Sequence, residues 1–196
     1  MKLRSRRVIA VAGAVAGATA VLISVVALAT VSVASSARPA GVARVATVGP
    51  CQTRHLDVWY AEPGNGAAGS TYWDIELSNI GAHACTLDGY PGLVALSVNG
   101  PQLGNAAAHT TGITPHLVTL AAKGGTAHVI LRSVNPGFLE PACHPGTAGV
   151  LRFTPPGQHA SRLIPLQIGV CKNHGPIFMY VWPVAAGVGI PGYTTI

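Results

Sequence analysis

Residues 71–78 read TYWDIELS, and their alternation decides the fold class. Trp73, Ile75 and Leu77 fall on one side of an extended chain; Tyr72, Asp74 and Glu76 fall on the other. That two-residue period belongs to a half-buried β-strand, with apolar side chains toward a core and polar ones toward solvent. Residues 126–134 repeat it: Ala127, Val129, Leu131 and Ser133 oppose His128, Ile130 and Arg132, with Ile130 blurring the pattern.

Working outward from these two, no helical period of useful length follows residue 50. Short β-branched and aromatic runs cut by Gly, Pro and Asn predict strands at 55–61, 71–78, 93–98, 117–120, 126–134, 149–154, 163–170 and 177–182. Asn99-Gly100 signals a hairpin, because both central positions of that turn need positive φ. Asn135-Pro136-Gly137 and Pro155-Pro156-Gly157 signal turns. Residues 61–70 are too rich in glycine to carry structure of their own, and 101–116 form a second long connection. Strands with regular turns predict an all-β domain, an antiparallel β-sandwich, with a barrel as the alternative.

Charge separates this domain from what precedes it. The formal net charge is +6. Lys2, Arg4, Arg6, Arg7, Arg38 and Arg44 precede Cys51 with no acid among them. From Cys51 onward, Arg54, Lys123, Arg132, Arg152, Arg162 and Lys172 are balanced by Asp57, Glu62, Asp74, Glu76, Asp88 and Glu140. The basic pI therefore reports the head of the chain and not a polyanion-binding surface, which argues against nucleic acid as a partner.

Residues 8–34 carry no charge. As a helix they would reach about 40 Å, enough to cross a hydrocarbon core of about 30 Å. The expected order is a cytoplasmic basic head (1–7), a transmembrane signal-anchor or signal peptide (8–34), a linker (35–50) and an extracytoplasmic domain (51–196). The length favours an anchor in the cell membrane with the domain outside. The alternative is secretion after cleavage near Ala37, where Ser35-Ser36-Ala37 supplies small residues. Arg6-Arg7 is a weak twin-arginine signal. Val48-Gly49-Pro50 before Cys51 does not fit a lipid box.

An exported domain with Cys51, Cys85, Cys143 and Cys171 is expected to form disulfides. Three connectivities are possible; the sequential pairs Cys51–Cys85 and Cys143–Cys171 are favoured, each stabilising by roughly 3–4 kcal/mol. The rival is a zinc site from Cys143, His144, Cys171 and His174, which oxidation would abolish. The eight histidines (His55, His83, His109, His116, His128, His144, His159, His174) are scattered. No Gly-x-Ser-x-Gly elbow, His-Glu-x-x-His helix or phosphate loop occurs. No catalytic residue, cofactor or metal ligand is therefore assigned.

Trp59, Tyr60, Tyr72, Trp73, Tyr180 and Trp182 lie on predicted strands. Adjacent members face opposite ways, so Trp59, Tyr72 and Trp182 are the candidate ligand-facing rings. The expected role is a non-catalytic binding or interaction module of the cell envelope, whose ligand is a wall polymer, a peptide or another protein. Two alternatives stand beside it: an envelope hydrolase using a loop histidine with Asp, Glu or Ser, and an envelope protein binding metal through histidines alone.

One stretch is more specific. Asn79-Ile80-Gly81, then Cys85-Thr86-Leu87-Asp88-Gly89-Tyr90-Pro91, closely resembles the signature of the family called domain of unknown function 4232. The resemblance continues through Leu120-Ala121-Ala122-Lys123-Gly124-Gly125-Thr126-Ala127 and covers roughly 51–185. It implies an exported, mostly actinobacterial protein with an immunoglobulin-like sandwich, and it supplies no catalytic residue. Many relatives carry a lipid box where this chain has a long apolar segment. Physically, Asn79-Ile80-Gly81 would turn the chain, Cys85 would pin it to Cys51, Leu87 and Tyr90 would bury, and Gly89 would take a backbone geometry closed to other residues.

Overall fold

The computed structural model describes residues 47–61 and 64–189. The basic head, the apolar stretch 8–34 and most of the linker lie outside these residues. Among the described residues no helix is long and apolar enough to cross a membrane.

The described chain is mostly β, with two short 3-10 turns (Thr53–His55 and Pro136–Leu139). The strands are β1 (Leu56–Tyr60), β2 (Asn65–Ala67), β3 (Ser70–Asn79), β4 (Cys85–Leu87), β5 (Gly92–Leu96) and β6 (Ala108–His109). They continue with β7 (Val118–Leu120), β8 (Gly125–Val134), β9 (Pro145–Thr154), β10 (Arg162–Cys171), β11 (Met179–Val181) and β12 (Ala185–Ala186). A seven-stranded sheet runs β1-β3-β8-β11-β6, with β2 beside β3 and β12 beside β8. A three-stranded sheet runs β10-β9-β5, and β4 pairs with β7. Every ladder between these strands is antiparallel except β11–β6, which is parallel.

The alternation in 71–78 does place a strand, and its apolar side faces inward. Ile75, Leu77, Val129, Leu131 and Met179 from the large sheet join Leu93, Leu151, Phe153 and Ile164 from the three-stranded sheet in one core. Leu87 and Leu120 of the small sheet close it. Trp73 is half-buried against this core, and its indole N–H donates to the Ser133 hydroxyl at 2.9 Å.

The other side corrects an expectation. Asp74 and Glu76 are not in solvent: they are 8% and 2% exposed, and His128, opposite Glu76, is 2% exposed. The cover comes from Gly187–Gly189, far along the chain, which no local pattern announces.

Three further differences have local causes. Residues 61–70 do carry structure: Ala68 and Gly69 both take positive φ and fold β2 back onto β3. At Asn99-Gly100 only Gly100 takes positive φ; Gly100 N–H donates to Ser97 O, and the turn ends in a single bridge, Leu96 to Gln102. β9 starts four residues earlier than its alternation suggests, at Pro145 rather than Gly149. A register shift between Pro165 and Ile168 of β10 breaks the phase of β9 there, so the period reads as a boundary.

Asn79 fastens one end of the central ladder. Its side-chain oxygen accepts from Gly81 N–H at 2.9 Å, and its amide donates to the carbonyls of His83 (2.9 Å) and Ala121 (3.0 Å). One buried side chain thus holds the turn after β3 against the turn before β8.

The two disulfides are Cys51–Cys85 and Cys143–Cys171, and no described cysteine is free. The first ties the domain start to β4, where Cys51 N–H also donates to Thr86 O at 2.9 Å. The second ties the segment after Pro136–Leu139 to the end of β10. The double substitution Cys143→Ser with Cys171→Ser releases a loop of sequence separation 28. It is expected to lower the unfolding free energy by about 3–4 kcal/mol. Urea unfolding of wild type and variant checks this, and a loss below about 1 kcal/mol would show that the reduced chain keeps the same restraint by other means.

Candidate functional site

An apolar groove of about 340 Å³ opens beside β8. One wall is the connection Ile113, Thr114, His116, Leu117 and Val118; the other is Trp182 through Ala186. Ile130 and His128 of β8 lie between them. Leu117 is 66% exposed at the rim.

Gly89 and Tyr90 fasten both walls. Gly89 takes φ +102, a conformation that favours glycine, and its carbonyl accepts from Val184 N–H at 3.0 Å. Tyr90 stacks on His109 with ring centroids 4.3 Å apart. The Tyr90 hydroxyl lies 2.8 Å from Thr110 O and 3.1 Å from Ile113 O and donates to these carbonyls. The Gly-Tyr pair of the signature therefore positions a site that it does not line.

A family profile described as "Domain of unknown function" (DUF4232) matches residues 51–176. The chain belongs to this family. The match covers the disulfides, the Asn79 clamp and the Tyr90 fastening, whereas Trp182–Ala186 lies beyond it. No curated protein and no solved structure matches the chain.

The candidate rings are partly brought together. Tyr72 and Trp182 face each other on the outer side of the large sheet, centroids 6.1 Å apart and tilted by 59°. Trp59 sits on edge strand β1, opposite Glu76, and does not line the groove. Beside them the Arg132 guanidinium lies 4.3 Å over the Tyr180 ring. Among the scattered histidines, His116 and His128 share the groove. Cys143 and Cys171 bond to each other and so offer no thiolate to a metal. Among the described residues no group of three His, Cys, Asp or Glu is placed to hold a metal ion.

The buried trio Asp74, Glu76 and His128 is what sequence reasoning missed. Glu76 Oε1 accepts from Gly189 N–H at 2.7 Å. Nδ1 of His128 lies 3.2 Å from the Gly187 carbonyl, which can only accept, so Nδ1 carries a proton. Burial pushes the Glu76 carboxyl above its ordinary value of 4.5; the Gly189 N–H opposes this, the nearby Asp74 charge adds to it, and His128 opposes it. A histidine does meet two acids here, beneath Gly187–Gly189, and the same histidine also lines the groove.

Two expected outcomes follow from this geometry. Tyr90→Phe removes the donor to Thr110 and Ile113 and is expected to destabilise by about 1–2 kcal/mol, with amide exchange rising in residues 110–113. Unchanged exchange there would mean the hydroxyl does not hold the wall. For Glu76, the folded chain keeps its proton to higher pH than the unfolded chain does. Its contribution to stability is therefore full below pH 4.5 and lost as pH rises through the folded value. In thermal melts from about pH 4 to about pH 8, Glu76→Gln should gain on wild type steadily as pH rises; a constant gap would refute the assignment.

Proposed function

We propose that this chain is an exported cell-envelope module that binds, without catalysis, a peptide or protein segment bearing an apolar side chain. The module would be an immunoglobulin-like β-sandwich displayed outside the membrane, held by residues 8–34 or released after cleavage near Ala37. Two disulfides support the extracytoplasmic placement, since such bonds persist in oxidising compartments. The two larger sheets contribute to one core, which supports the sandwich reading.

The groove between Ile113–Val118 and Trp182–Ala186 is the observation that carries the binding reading. Concave, apolar, rimmed by an exposed leucine and flanked by an indole, it suits a hydrophobic anchor residue with a polar backbone around it. A polyol wall polymer would leave its hydroxyls unpaired against this lining. The balanced charge after Cys51 favours an uncharged anchor over a polyanion.

The test is a panel of short peptides differing in one apolar residue, titrated against the full chain in lipid nanodiscs. Trp182→Ala should weaken binding by about tenfold or more, whereas Trp59→Ala should leave it unchanged. Equal losses in both variants, or no binding by any apolar peptide, would refute the groove as the site.

A further inference from the structure

We propose that Ala185–Gly189 is a proton-operated latch on the groove, closed while Glu76 and Asp74 share a proton and loosened when both are ionised. The effect on ligand rests on the groove's being the binding site; the latch itself does not.

The geometry joins the two places through β12. Ala185 and Ala186 pair with His128 and Ala127, and the same two alanines line the groove. The next residues cross the central ladder. Gly187 N–H donates to Thr126 O at 3.0 Å, His128 donates to Gly187 O, and Gly189 N–H donates to Glu76 Oε1. Gly189 is pressed so closely onto Asp74 that a Cβ there would overlap the carboxylate. No side chain larger than hydrogen fits while the segment is down.

Protonation decides whether the segment stays down. Oε2 of Glu76 is buried with no hydrogen-bond partner among the described residues. A proton held between Glu76 and Asp74 satisfies it. Ionising both places two negative charges at positions i and i+2 on one face of β3, under a cover that excludes water. Lifting Gly189 admits water and relieves both burial and repulsion.

Among the described residues, the titratable and charged groups near the pair are few. On β3 the groups on this face are Tyr72, Asp74 and Glu76; on β8 they are His128, opposite Glu76, and Arg132, opposite Tyr72 and over Tyr180 of β11. Asp57 on β1 is exposed, opposite Ser78. β12 and Gly187–Gly189 bring no charged side chain. The His128 bond to Gly187 needs only the Nδ1 proton. The carboxyl pair is the sensitive part.

The experiment is hydrogen–deuterium exchange of the full chain in nanodiscs at about pH 5 and about pH 8, corrected for intrinsic rates. Protection of 185–189 should fall about tenfold or more toward high pH while that of 127–133 holds. Glu76→Gln should keep its protection at both pH values. A pH-independent segment in wild type, or the same fall in Glu76→Gln, would overturn the latch. Should Glu76→Gln not fold, Asp74→Asn removes the same repulsion and should flatten the same response. Peptide affinity is read in parallel. A responsive segment with no peptide bound leaves the latch standing and sinks the groove, whereas peptide binding over a flat segment does the reverse.

Discussion

The antiparallel ladder between β3 and β8, paired without interruption from Ser70–Val134 to Asn79–Gly125, is the constraint on which the rest depends. A slip of β3 by one residue would turn Ile75 and Leu77 out of the core and bring Asp74 and Glu76 into it. Asn79 locks one end by bonding both adjoining turns, and the Trp73–Ser133 bond crosses the ladder near the other. With register fixed, β1 adds to one side and β11 and β12 to the other. The outer face then has a set order of groups, and the groove lies where β12 leaves it.

How much of this was legible follows from how local each signal is. The period of 71–78 and 126–134 reveals two long strands and their core face, because each residue's direction depends only on its neighbours. Strands of two or three residues, such as β4, β6 and β12, hold no full period and leave no trace. β2 hides because its turn uses Ala68 at positive φ, where glycine or asparagine would have signalled it. Asp74 and Glu76 read as solvent-facing because half the rule holds: they do point away from the core. What buries them arrives from Gly189, and alternation carries no information about a contact that distant.

The site divides in the same way. Trp182 stood out as an aromatic near the end of a strand, and it does flank the groove. His116 gave no signal, since a single histidine in a long connection resembles any other surface histidine. The signature around Tyr90 was visible, yet its work is mechanical: it ties the 110–113 backbone and, through Gly89, the Val184 backbone. The family match stops at residue 176, before the second wall begins. Membership in DUF4232 thus covers the frame of the groove and not its second wall.

The buried carboxyls are the feature that stability alone does not explain. Residues 51–196 hold only six acids, and two of them sit together under the same three residues. Apolar residues of similar size would serve a purely structural outer face at least as well, since desolvating ionisable groups is expensive even when they are paired. Glu76 accepts there from the backbone N–H of Gly189, and Asp74 lies close enough to hydrogen-bond with it. Burial there disfavours the ionised form of the Glu76 carboxyl. The segment over the pair continues from Ala185 and Ala186, which pair with β8 and line the groove, so the carboxyls on β3 and the surface beside β8 are joined by one short stretch of chain.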